Sequence, residues 1–197
     1  MKKILFLLLI YFPLLSQDYK IPPDVIRSLI EADPQPTISL TKDGDLGLVL
    51  NRDGYKSIDE LAKDELRIAG TRLDPVRYTS SRMTYYKSFS LLDTKSGENI
   101  SVEFPLNGKF SFFQWSPDEE KIAFTNTTEN GVELWLLDIK SKKSKKVSDR
   151  YINDILNSPF QWYNSSDELL VSLRSNKKKP NISSVPTGPI ILSLIHI

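Results

Sequence analysis

The chain has 197 residues, 26 Lys and Arg against 25 Asp and Glu, one His, no Cys, and 40% hydrophobic residues. That length suits one ordinary domain or part of a larger one, and nine Phe, eight Tyr and three Trp at a net charge of +1 exclude bulk disorder. Balanced charge supplies no field to gather nucleic acid or an anionic membrane, and the lack of Cys removes thiolate nucleophiles, disulfides, Cys-type structural zinc and lipid attachment through an N-terminal Cys.

In chain order, Met1-Lys2-Lys3 precedes an apolar run from Ile4 to Leu15, then Ser16 and Gln17. This reads as a secretory signal peptide over residues 1–16, cleaved between Ser16 and Gln17. As a helix the run reaches only about 18 Å, short of the roughly 30 Å hydrocarbon core, so no stable span is expected after its removal. A retained interfacial anchor is the alternative. The expected location is bacterial and exported, periplasmic or extracellular. Residues 17–36 form a lead-in, where Val25, Ile26, Leu29 and Ile30 make one apolar stripe on a short packed helix. Pro34 and Pro36 end it.

Residues 37–191 carry a repeat. Ile38 to Leu46, Phe113 to Phe124 and Phe160 to Val171 each read as apolar strand, polar turn and apolar strand. Trp115 and Trp162 are 47 positions apart, and each lies seven before an apolar strand residue, Ile122 and Leu169. The longer gap between Leu40 and Trp115 holds an insertion or a degenerate unit. The middle unit reads as four strands: Phe110 to Trp115, Lys121 to Thr125, Val132 to Leu137, and Lys145 to Val147, with Ser116-Pro117-Asp118 and Glu129-Asn130-Gly131 as turns. A lone meander cannot cover both faces of its sheet, so such units stack radially. The expected fold is all-β, an incomplete β-propeller of first blades behind the short helix.

Leu192 to Ile197 breaks the polar character of the preceding residues. Its codons can match a transposon-end sequencing adapter, so residues 192–197 are expected to be an artefact, with a natural apolar strand as the alternative. His196 is the only histidine, so the remaining chain cannot assemble a Ser-His-Asp or Cys-His nucleophile system.

Trp115-Ser116-Pro117-Asp118 with Ile122-Ala123-Phe124 resembles the propeller repeat of prolyl oligopeptidase-type serine peptidases. Ser57 to Ala62, Glu65 to Pro75, Ser81-Arg82, Gly131 to Trp135 and Pro186 to Pro189, in that order, resemble the N-terminal region of the glutamyl peptidase branch of that family, over about residues 19–191. The chain departs from the branch at Lys63-Asp64, at Thr71 and at Glu119. The resemblance implies a propeller over a C-terminal α/β-hydrolase domain bearing a catalytic Ser, Asp and His, with this chain ending inside the propeller. None of the eight glycines forms the G-x-S-x-G of a nucleophile elbow. No catalytic residue, cofactor or metal ligand is assigned.

Arg67, Arg72, Arg77 and Arg82 fall five residues apart. Arg72 and Arg82 are candidates for gripping an acidic substrate side chain; the alternative is structural pairing, as for Arg67 with a neighbouring carboxylate. Lys142 to Lys146 and Lys177 to Lys179 read as solvated turns. Asp118-Glu119-Glu120 lacks calcium-loop spacing. Trp115, Trp135 and Trp162 suit packing between sheets better than stacking on sugars. The sequons at Asn99, Asn126, Asn164 and Asn181 are read as unmodified.

The leading expectation is therefore the N-terminal propeller part of an exported serine peptidase that cleaves short peptides at Glu. Peptides would be its partners, through a catalytic domain outside this stretch, and no nucleic acid partner is expected. Two other readings are a non-catalytic periplasmic propeller that binds protein or glycan, and a complete small β domain.

Overall fold

The computed structural model describes residues 20–155 and 158–176. The leader, its Ser16–Gln17 bond, the Asn181 sequon, Lys177 to Lys179 and segment 192–197 lie outside these residues. The described residues fall into two units, divided between Ala32 and Asp33.

In the first unit, α1 (Asp24–Glu31) starts behind Pro23, whose ring presets φ, and an Arg27–Glu31 pair at 2.8 Å bridges one turn. The stripe expected to be packed is exposed, with Val25 and Leu29 each at 74%. Amphipathic spacing states which residues share a face, not that a partner covers it.

The second unit is all-β and antiparallel. After β1 (Thr37–Leu40) and β2 (Leu46–Arg52), an insertion carries α2 (Ile58–Leu61) and a small sheet of β3 (Leu66–Ile68), β4 (Thr71–Asp74) and β5 (Thr79–Ser80). Ala69 and Gly70 join β3 to β4 with φ of 47° and 83°, a two-residue turn that favours glycine at its second position. The chain then returns as β6 (Tyr86–Asp93) and β7 (Asn99–Ile100). β6 pairs with β2 from Leu46↔Asp93 onward. Thus β1, β2, β6 and β7 form a four-stranded meander interrupted by the insertion. This accounts for the long gap between Leu40 and Trp115.

A second meander follows: β8 (Phe110–Trp115), β9 (Lys121–Thr127), β10 (Val132–Asp138) and β11 (Lys143–Lys146). One residue pair, Tyr86↔Phe110, joins it to the first. β11 begins two residues before the expected strand, because Lys142 at φ 60° closes the turn early. Part of the lysine run read as a solvated turn is therefore strand. A third hairpin, β12 (Phe160–Trp162) with β13 (Leu169–Val171), forms its own sheet.

The second meander is apolar on both faces. Ile122, Phe124 and Leu137 pack with Leu48, Leu50, Phe89, Leu91 and Phe110 on one side. Ala123, Val132 and Leu134 pack with Ile152 and Phe160 on the other. This follows from the period of two along a strand. In β8 the strict alternation fails: between Ser111 and Gln114 the register against β9 slips by one residue, with Phe112 at φ 52°. The bulge lets Phe110, Phe113 and Trp115 all serve the first core while Phe112 serves the second. Phe113 stacks on Phe124 at 5.4 Å, and Phe89 meets Phe110 edge to face at 5.2 Å.

The three hairpin turns touch in series at one end. Lys42 in the first donates its backbone N–H to Glu119 Oε1 at 2.8 Å and its Nζ to the Pro117 carbonyl at 2.9 Å. Lys121 beside the second turn donates to Asp167 Oδ1 in the third at 2.7 Å. Ser116 to Glu120 is a hydrogen-bonded turn, with Ser116 Oγ 2.6 Å from Asp118 Oδ1.

Candidate functional site

The insertion concentrates the charged chemistry. Ser57 Oγ accepts from the Glu60 backbone at 3.2 Å and caps α2. The Glu60 carboxylate accepts from Lys109 at 2.6 Å and Lys63 at 2.9 Å. Partial burial pushes Glu60 up, but the two lysines outweigh it and hold the group at about 2. Arg77 is 3% exposed, lies 3.7 Å from Glu60 and 3.6 Å from Asp74, and donates to Glu129 Oε2 at 2.6 Å. Glu129 sits on the turn between β9 and β10. This is structural pairing that ties the insertion to the second meander.

The other three arginines of the five-residue series converge on Glu65. Arg67 reaches Glu65 Oε1 through Nη2 at 2.9 Å, Arg72 reaches the same oxygen through Nη1 at 2.8 Å, and Arg82 Nε lies 3.5 Å from Oε2. β-pairing sets this up, since Arg67 and Arg72 are opposite each other across β3 and β4. Arg82 enters from the bend after β5 with φ 61°. Desolvation raises the Glu65 carboxyl, yet the Arg67 hydrogen bond and the charges of Arg72, Arg82 and Arg67 bring it below the usual carboxylate range. The carboxylate side chain is 10% exposed, while the three arginine side chains are 43–58% exposed. The sequence reading named Arg72 and Arg82 as candidate substrate contacts, with structural pairing as the alternative; the structure pairs both of them, together with Arg67, to Glu65.

One group escaped the sequence reading altogether. Asp154 is 2% exposed, its backbone N–H donates to the Tyr78 carbonyl at 2.9 Å, and Oδ2 has no hydrogen-bond partner among the described residues. Burial pushes its carboxyl up to about 7. Nothing local in Ile152-Asn153-Asp154 signals this, because the segment pairs with Tyr78 and Thr79, which are far away in sequence.

The tryptophans pack as expected from their strand positions. Trp115 and Trp135 lie against the first core and Trp162 against the second. Their indole N–H groups donate to Ser39 Oγ, Glu133 Oε2 and the Gln114 carbonyl at 3.2, 2.9 and 3.3 Å. Among the described residues, no group of three or more His, Cys, Asp or Glu side chains could hold a metal ion, and no helix is long and apolar enough to cross a membrane.

This all-β chain is distantly related to peptidases. It is 31% identical over 190 residues to a probable chloroplastic glutamyl endopeptidase of Oryza sativa subsp. japonica, and 31% identical over 189 residues to one of Arabidopsis thaliana. Each match covers 89% of this chain and 20% of the relative, so the chain spans about a fifth of the length of the curated relatives it matches. No family model matches the chain. Both relatives are chloroplastic plant proteins, which overturns the expectation of a bacterial periplasmic or extracellular protein. A basic start followed by an apolar run is a physical pattern, and such a pattern does not name the membrane system it addresses.

Proposed function

We propose that the chain is the N-terminal propeller portion of a serine peptidase of the glutamyl kind. The observation that carries the propeller part is the second meander: it buries apolar side chains on both faces, one against the first meander and one against the third hairpin. The hairpin turns repeat the same neighbour-to-neighbour relation from Lys42 to Glu119 and from Lys121 to Asp167. Stacking of this kind supports reading the meanders as blades, with the insertion at the end opposite those turns. The peptidase part is supported by the two named relatives. Acyl transfer belongs to a hydrolase domain outside these residues, with a Ser nucleophile, a His base and an orienting Asp. The blades wall off that site and admit short peptides. The relatives' location points to a plastid for this protein as well.

The test is to extend the reading frame beyond Ile191 on the source genome. The expected result is further blades, then a G-x-S-x-G serine on a strand-to-helix turn, followed by an Asp and a His. Termination after β meanders alone would overturn the peptidase reading and leave a binding module.

A further inference from the structure

We propose that the contact between the tip of the insertion and the segment leading into the third hairpin is a proton-operated latch, with Asp154 as the group that takes up and releases the proton. The latch holds while the Asp154 carboxyl is protonated and opens as it ionises. It does not depend on the peptidase reading.

The tip is the turn between β4 and β5, and its contacts reach far along the chain. The Asp154 backbone N–H donates to the Tyr78 carbonyl at 2.9 Å, and Asp154 pairs with Thr79 as a parallel bridge. Arg174, just beyond β13, donates through Nη1 to the Val76 carbonyl at 3.1 Å and to the Asn130 carbonyl at 3.0 Å, and its guanidinium lies 4.2 Å from the centre of the Tyr78 ring. On the other side of the contact, Ile152 N–H donates to the Val132 carbonyl at 2.9 Å and Asn153 N–H to the Ser172 carbonyl at 2.7 Å, which fixes that segment to β10 and to the strand after β12. The tip is therefore the part that can move away. Tyr78 at φ 63° is a bulky residue in the left-handed region, a conformation that persists only where surrounding contacts over-determine it.

The carboxyl group is placed where its charge state decides the contact. Asp154 is 2% exposed, and its Oδ2 has no hydrogen-bond partner among the described residues. The charged and titratable groups around it are Asp74, Arg77 and Tyr78 of the tip, Tyr85 beside Thr79, Glu129 on the β9–β10 turn, Tyr151, and Arg174. Neither arginine pairs with the Asp154 carboxylate: Arg77 is engaged by Glu129, Asp74 and Glu60, and Arg174 by two carbonyls. Arg77 and Glu129 favour their charged forms in each other's company, so their hold on the tip stays constant around neutrality and Asp154 is the variable. Protonated, it is a neutral group in a dry seam. Ionised, it is an uncompensated buried charge, and parting the tip from Asp154 lets water reach it.

The size of the effect follows from burial, which pushes the Asp154 carboxyl from 3.8 up to about 7 in the closed contact. Opening returns it to its ordinary value. Between pH 6 and pH 8 the open form is ionised throughout, while the closed form ionises only as pH passes about 7, so the opening constant rises about tenfold.

The test is amide hydrogen exchange of the 197-residue chain, read by NMR at pH 6 and pH 8 and corrected for the intrinsic exchange rate. Protection of the Asp154 N–H is expected to fall about tenfold from pH 6 to pH 8, while that of the Ile152 N–H is unchanged. Asp154→Asn is expected to abolish the fall. A second readout needs no variant: the Asp154 Cγ resonance is expected to titrate with a midpoint near 7. Equal protection of Asp154 at the two pH values, a fall that persists in Asp154→Asn, or a Cγ midpoint in the ordinary carboxylate range would each overturn the proposal. An equal fall at Ile152 would overturn it too, because the event would then be unfolding of the whole unit.

Discussion

Arg77 Nη2 donates to Glu129 Oε2 at 2.6 Å across 52 residues of sequence, and through this contact the insertion between β2 and β6 is fastened to the turn between β9 and β10. Arg77 is buried, while the Glu129 side chain is 80% exposed. Glu129 is therefore the hydrogen-bonded partner of the guanidinium, reached from the solvent side, and the charges of Asp74 and Glu60 at 3.6 and 3.7 Å add to it.

Replacing Arg77 removes its hydrogen-bonded ion pair with Glu129 and a nearby cation from Asp74, which costs about 1–3 kcal/mol. Arg77→Met is expected to lower the urea midpoint and to make residues 53–85 the first segment cut in limited proteolysis. An unchanged midpoint and cleavage pattern would show that the insertion is held elsewhere.

Glu60 gives the fold an acid limit. Its carboxyl falls from an ordinary 4.5 to about 2 in the folded chain, so the folded state favours the ionised form. The stabilisation is complete above about pH 4.5 and is lost as pH falls through about 2. Lys63 and Lys109 are each about a third exposed, and solvent screening reduces the effect to about 1–2 kcal/mol. Glu60→Gln is expected to lower stability at pH 7 and to flatten its decline between pH 4.5 and 2, as read by denaturation at stepped pH.

Asp154 acts in the opposite sense. Its carboxyl rises from 3.8 to about 7 in the folded chain, so folding retains a proton that the unfolded chain has released. The contribution is present below about pH 3.8, declines as pH rises to about 7, and remains a penalty beyond. Asp154→Asn keeps the shape and removes the charge, and is expected to stabilise the chain at pH 8 by about 2–4 kcal/mol. Measured melting temperatures of the variant and the parent should converge near pH 4; a variant less stable at pH 8 would contradict this.

Gly108 is required by packing rather than by φ. A Cβ there would overlap the ring of Phe110, at Cζ and Cε1, and would sit 3.0 Å from Asn126 Oδ1. Phe110 is fully buried between the first two meanders, so it has nowhere to move. Gly108→Ala is expected to cost about 1–3 kcal/mol, seen as a lower melting temperature and altered near-ultraviolet circular dichroism.

The three apolar-turn-apolar segments were legible in sequence, and all three are hairpins: β1–β2, β8–β9 and β12–β13. Short strands with Asp, Pro and Gly turns are specified locally, because turn geometry and alternation involve residues only a few positions apart. Arg67 beside Glu65 was legible for the same reason. By contrast, the strand Tyr86 to Asp93 was not read, and neither was the small sheet inside the insertion. Each depends on partners far away in sequence, as in the register from Leu46 to Asp93.

What the sequence by itself determined is the all-β character, the repeat and the four evenly spaced arginines, since composition and short-range periodicity suffice for these. Only the tertiary structure decided that Arg77 serves a buried counter-ion network while Arg67, Arg72 and Arg82 meet at Glu65, and that Phe112 turns away from Phe110 and Phe113. The physical reason is common to both: burial and charge pairing depend on distances through space, and strand pairing and a bulge change those distances without changing any local pattern.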